Sequence, residues 1–163
     1  MDASQAGRDM YRVPSLRVRI VFALLVFGPG VGATSFDSDL VGRETADVIE
    51  SFGAPVRMFT EPTATRTDVF IVFLYEDYTY VYFFNNEVWQ LRVDERSQTS
   101  LHGVNIGDTI ESVAFELGPP RWEPDTMASA TFPLRDHDYE LELRVFVDSG
   151  GRVHDIYLYR ADF

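Results

Sequence analysis

The sequence predicts an α+β fold, two tandem helix–β–β–β repeats whose short helices pack on one face of an antiparallel sheet. Three observations carry that expectation. A block of matched residues recurs 65 positions on, from Gly42 to Gly107 and from Pro55 to Pro120. Each block ends on a glycine with a proline two residues later, a helix-stop signal. The stretch after each stop is rich in β-branched and aromatic residues.

The matched block pairs Val41 with Ile106, Gly42 with Gly107, Val48 with Val113, Phe52 with Leu117, Gly53 with Gly118 and Pro55 with Pro120. Val48 with Phe52, and Val113 with Leu117, are four apart and make one apolar stripe on a short helix. Acids fall early in each helix, where the helix dipole favours them. Farther on, Val88/Val153, Leu91/Ile156 and Val93/Leu158 keep the same offset. Strands are expected over 68–75, 78–84 and 87–94, and again over 128–134, 139–147 and 152–160. Segments 56–61 and 121–124 are candidate edge pieces. The resulting division is a signal at 1–33, a first repeat at 34–98 and a second at 99–163.

The first 33 residues have the layout of a secretory signal. Arg8, Arg12, Arg17 and Arg19 precede an apolar run at 20–27, and Gly28, Pro29 and Gly30 break it before the small residues Gly32 and Ala33. Spanning a bilayer takes about 20 apolar residues, so a cleaved signal is expected rather than a buried helix or a retained anchor. Taking its four arginines and two acids from totals of 14 and 26 leaves ten arginines against 24 acids, a formal charge of −14. Such a surface repels nucleic acid and anionic headgroups. The chain has no cysteine, so its stability must come from its core rather than from disulfides. A periplasmic or secreted protein without stable membrane insertion is the expectation.

Strand alternation assigns faces. Leu141, Leu143, Val145 and Val147 alternate with polar neighbours, and hairpin pairing sets Leu143 beside Ile156 and Leu141 beside Leu158 as core. The opposite face then carries Glu140, Glu142, Arg144, Asp155, Tyr157 and Tyr159. The offset adds Val88, Gln90, Arg92 and Asp94. Whether Tyr78, Tyr80 and Tyr82 join them depends on the turn at Asn85 and Asn86: an even loop buries them beside Leu91, and a three-residue loop exposes them. Exposure is the expectation. His154 aligns with Trp89 and is expected toward the core side. Trp122, just past the second helix stop, is either a binding aromatic or a cap on the core.

Chemistry is sparse. Thiol catalysis is excluded, no glycine-rich phosphate loop follows a strand, and no serine sits in a Gly-x-Ser-x-Gly elbow. Asp136, His137 and Asp138 cluster an imidazole with two carboxylates, but no second histidine falls at ligand spacing, so a solvated turn is expected. No metal, cofactor or catalytic residue is assigned. Tyrosines on strands pack well across a sheet, and they also anchor protein interfaces through rigid area with a polar tip. The candidate partner-binding set is Tyr157, Tyr159, Glu140, Glu142, Arg144, Arg92, Tyr80 and Tyr82.

The pattern Gly-x5-Val-x3-Phe/Leu-Gly-x-Pro with a tyrosine-rich hairpin resembles the SmpA/OmlA family of outer-membrane assembly lipoproteins. It is similar also to the tandem-repeat β-lactamase inhibitory proteins. The resemblance implies helices on one sheet face and a protein partner on the other. The lipidated cysteine of the first group and the disulfides of the second are both missing here. The expected function is an exported, non-enzymatic protein-binding module of the cell envelope. The alternative is a secreted enzyme inhibitor of the β-lactamase inhibitory protein type.

Overall fold

The computed structural model describes residues 36–63, 68–122, 128–135 and 138–162. The signal expected at 1–33 and the Asp136–His137 part of the acidic turn lie outside these residues. A 3-10 turn at Ser38–Leu40 leads into helix α1, Thr45–Phe52. Strands β1 (Arg57–Pro62), β2 (Val69–Leu74), β3 (Thr79–Phe84) and β4 (Glu87–Asp94) come next. Helix α2 (Ile110–Leu117) then precedes β5 (Arg121–Trp122), β6 (Ser129–Leu134), β7 (Leu141–Val147) and β8 (Val153–Arg160).

These elements correct the expected fold class. The protein is mainly β, with eight strands among the described residues in one antiparallel sheet of order β1-β2-β3-β4-β8-β7-β6-β5, and it is not a pair of helix–β–β–β repeats. Two features produce the difference. The pieces at 56–61 and 121–124 become the outermost strands β1 and β5. The last strands of the two groups then pair with each other, Leu91 beside Leu158 and Val93 beside Ile156, so the ladder runs unbroken.

Each helix stops where glycine permits a positive φ. Gly53 (φ 78°) and Gly118 (φ 93°) end α1 and α2, a backbone region costly for residues with a Cβ. Thr109 caps α2, its hydroxyl accepting the Ser112 N–H at 3.2 Å. The chain entering each helix is clipped to the end of a strand. Gly42 N–H donates to Val88 C=O and Val88 N–H returns to Arg43, both at 2.8 Å, while Gly107 N–H donates to Val153 C=O at 2.7 Å. Gly42 also meets Tyr139, whose ring would stand 2.5 Å from an added Cβ.

The core lies between the helices and one sheet face. Val48, Ile110 and Val113 from the helices join Val81, Leu91, Leu143, Ile156 and Leu158 in one buried cluster. The opposite face carries a smaller one, with Val72, Tyr80 and Tyr82 packed by Phe59, Phe70 and Leu74.

Two β-bulges reset the faces. The turn at Asn85 and Asn86 has two residues, at φ 49° and 70°, as an Asn-rich two-residue hairpin turn requires. An even loop would have put Tyr82 on the core side. A register shift between Tyr82 and Phe83 inserts Trp89 as an extra residue, so Tyr82 pairs with Gln90 and Phe83 with Val88. Val88 therefore turns into the core at 0% exposure instead of joining the outer face. The second shift, between Phe146 and Val147, does the same at His154. His154 contacts Phe146, an outer-face residue, rather than the core side expected of it.

Candidate functional site

The outer face of the central four strands is a grid set by register. One row runs Tyr80–Arg92–Tyr157–Arg144, and the next runs Tyr82–Gln90–Tyr159–Glu142. Period-two alternation places all of these on the side away from the helices. The structure thus brings together Tyr157, Tyr159, Glu142, Arg144, Arg92, Tyr80 and Tyr82. Glu140 stands just before β7, exposed, where its carbonyl accepts the Ala161 N–H at 2.7 Å.

The exposure expected for Tyr80 and Tyr82 is corrected. Both are on the outer face, yet Tyr82 is only 3% and Tyr80 9% exposed. Val72 and Leu74 pair beside them, and Phe70 meets the Tyr82 ring edge-on with centroids 6.0 Å apart. Burial first, and then the nearby Glu61 carboxylate, raise the Tyr82 phenol above its ordinary pKa.

Arg92 is the hub. It donates two hydrogen bonds to Asp155, Nε at 3.0 Å and Nη2 at 2.7 Å. Its guanidinium lies 5.1 Å from the Tyr80 ring centre and 5.2 Å from that of Tyr157. The Asp155 hydrogen bonds hold its pKa above the usual arginine value. Next along, Tyr80 donates to Asp94 at 2.9 Å, and Arg96 donates to the Tyr80 hydroxyl at 2.8 Å and to both Asp94 oxygens. Burial disfavours the charged Asp94, but the Arg96 and Tyr80 hydrogen bonds outweigh it and lower its pKa. On the other flank Tyr159 donates to Glu142 at 2.8 Å, and Arg121 ion-pairs with the same carboxylate. Burial, with the Glu142 hydrogen bond second, pushes the Tyr159 phenol up to about 12.

Two shallow clefts open on this face. One, of about 210 Å³, is lined by Trp89, Gln90, Arg144, Phe146, Tyr157 and Tyr159. The other, of about 380 Å³, has charged walls that include Arg92, Asp94, Arg96 and His154. Arg144 sits 5.4 Å over the Tyr159 ring and donates to Thr131 at 3.3 Å. The candidate set read from the sequence left out Trp89 and Phe146, which line the first cleft. Phe146 was readable from its place in the Glu142–Arg144 alternation, whereas Trp89 faces outward only because of the bulge. Trp122 is 39% exposed at the far edge of the sheet, away from both clefts. Among the described residues no group of three or more histidine, aspartate or glutamate side chains is placed to hold a metal ion, and no helix is long and apolar enough to cross a membrane.

No family model matches the chain, and no curated protein matches it. Among solved structures it is similar to an extracellular protein containing an SCP domain from Bacillus anthracis, with TM-score 0.53 and 11% identity over 78% of this chain and 47% of that one. It is similar also to a cysteine-rich secretory protein from Staphylococcus aureus, with TM-score 0.50 and 12% identity over 76% of this chain and 44% of that one. The chain thus spans less than half the length of either neighbour, and the likeness is one of fold. These neighbours overturn the resemblance to the SmpA/OmlA lipoproteins and the β-lactamase inhibitory proteins. The motif behind that resemblance consists of helix-stop and clip residues such as Gly53, Gly118 and Gly42. Their role is conformational, so they do not mark one family.

Proposed function

We propose that this is an exported, non-enzymatic protein-binding module that engages its partner through the outer face of the sheet, centred on the cleft between Trp89 and Phe146. The observation that carries the reading is the outer-face grid itself. Tyrosine, tryptophan and arginine side chains are held by one another's rings and hydrogen bonds, so little side-chain freedom is left to lose on binding. Half-buried aromatic rings supply apolar area, and Arg144, Gln90 and Glu142 supply a polar rim. The secretory layout of the first 33 residues supports export, and both structural neighbours are described as extracellular or secretory. The inhibitor alternative drew on the overturned resemblance, the tandem organisation and the acidic charge, and no residue of the face favours it separately.

The test is paired capture from envelope extracts and culture medium of the native host, with wild-type protein and Trp89→Ala/Phe146→Ala side by side. A partner held by the wild type and lost by the variant, with circular dichroism unchanged, is the expected result. A partner held equally by both would refute this face.

A further inference from the structure

The outermost strand β1 is self-complementary, and we propose that a second copy of this chain pairs with it, β1 against β1 about a two-fold axis at Phe59. The hydrogen-bond phase fixes which groups are on offer. Thr63 N–H donates to Asp68 C=O at 3.0 Å, continuing the β1–β2 register. On the other side of β2, Tyr75 N–H donates to Thr79 C=O at 2.9 Å. Both bonds give the same phase: Arg57, Phe59 and Glu61 turn their main-chain groups toward β2, and Met58 and Thr60 turn theirs to the edge that no strand covers among the described residues.

An antiparallel partner that sets Met58 opposite Thr60 satisfies both residues, with four main-chain hydrogen bonds across the axis. That register makes Phe59 face Phe59 of the second copy as a non-hydrogen-bonded pair, the closer kind, suited to aromatic contact. It also sets Arg57 opposite Glu61, twice. The apolar rows become continuous. On the outer face Tyr82, Val72 and Phe59 run into their counterparts. On the helix side Met58 (68% exposed) and Ile71 (50% exposed) are brought together over Thr60. An edge strand carrying charge and ending in proline, as β1 does at Pro62, discourages foreign strands. Here the same charges match a second copy, giving an isologous two-fold contact.

The experiment is sedimentation velocity on the purified chain, compared with Arg57→Glu, Glu61→Arg and an equimolar mixture of those two variants. The wild type should dimerise at concentrations up to about 100 μM. Each reversal alone sets like charges opposite each other twice and should weaken self-association at least about tenfold. The mixture restores opposite charges at both positions and should recover dimer as a heterodimer. Thr60→Pro removes an outward N–H only, so it should give monomer with circular dichroism unchanged. A wild type that stays monomeric, a dimer indifferent to both reversals, or a mixture that stays monomeric would overturn the proposal.

Discussion

Asp155→Asn probes the seam where β4 meets β8, the pairing that joins the first four strands to the last four. Asp155 receives two hydrogen bonds from Arg92 across that seam, at 3.0 and 2.7 Å, and the two side chains are 14% and 26% exposed. Breaking a fully buried pair costs about 3–5 kcal/mol, and an exposed one about 0–1. The observed burial lies nearer the first case. Asparagine still offers one acceptor, and the Tyr80 and Tyr157 rings keep contributing about 0.5–1 kcal/mol each to the guanidinium. The expected loss is therefore about 2 kcal/mol, measured by urea unfolding with an unchanged denaturant slope. Replacing both partners together, Arg92→Leu/Asp155→Leu, should cost less than the single change, about 1 kcal/mol, because no charge is then left buried and the lost ring contacts are partly offset by the added apolar packing. A loss under about 0.5 kcal/mol for Asp155→Asn, or a double variant as unstable as the single one, would refute the assignment of this pair.

Gly42→Ala should cost about 1–3 kcal/mol by the same assay, since φ is +86° and the Tyr139 ring blocks the added methyl; Gly53→Ala, with open space around it, should cost about 1 kcal/mol. Asp94 ionises more readily folded than unfolded despite its burial, so its stabilisation is present at neutral pH and is lost as pH falls below about 4. Asp94→Asn should flatten that acid limb of the stability curve. Tyr159 holds its proton more tightly folded than unfolded, so its contribution is complete below about pH 10 and fades as pH rises toward about 12. Ultraviolet titration of Glu142→Gln should show one phenol ionising at lower pH than in the wild type.

The features legible in the sequence obey local rules. The glycines at 53 and 118 mark helix ends because only a positive φ turns the chain there. Ile156 and Leu158 could be told from Tyr157 and Tyr159 because β-strand alternation has a period of two. The face of Glu142 and Arg144 came from the same count, and that of Arg92 from the 65-residue offset to Tyr157. The failures share one physical cause, a contact between residues far apart in sequence. A bulge at Trp89 or His154 adds one residue and reverses every face beyond it, and local composition does not signal it. Strand β1 reads as a mixed polar stretch because it is half solvated; the sequence marked 56–61 as an edge piece, and pairing with β2 fixed its register. The burial of Tyr82 depends on Phe70 reaching over from β2. The joining of all eight strands depends on β4 meeting β8, whose paired residues lie more than 60 positions on in the chain.

Partner binding at the outer face is the central claim. A photo-crosslinking phenylalanine analogue placed at Phe146 tests it directly, with the same group at Phe115 on α2, 91% exposed on the helix side, as the comparison. In the native envelope and medium, adducts to one protein partner should form from position 146 and not from 115. Adducts from 115 alone, or equally from both positions, would contradict it.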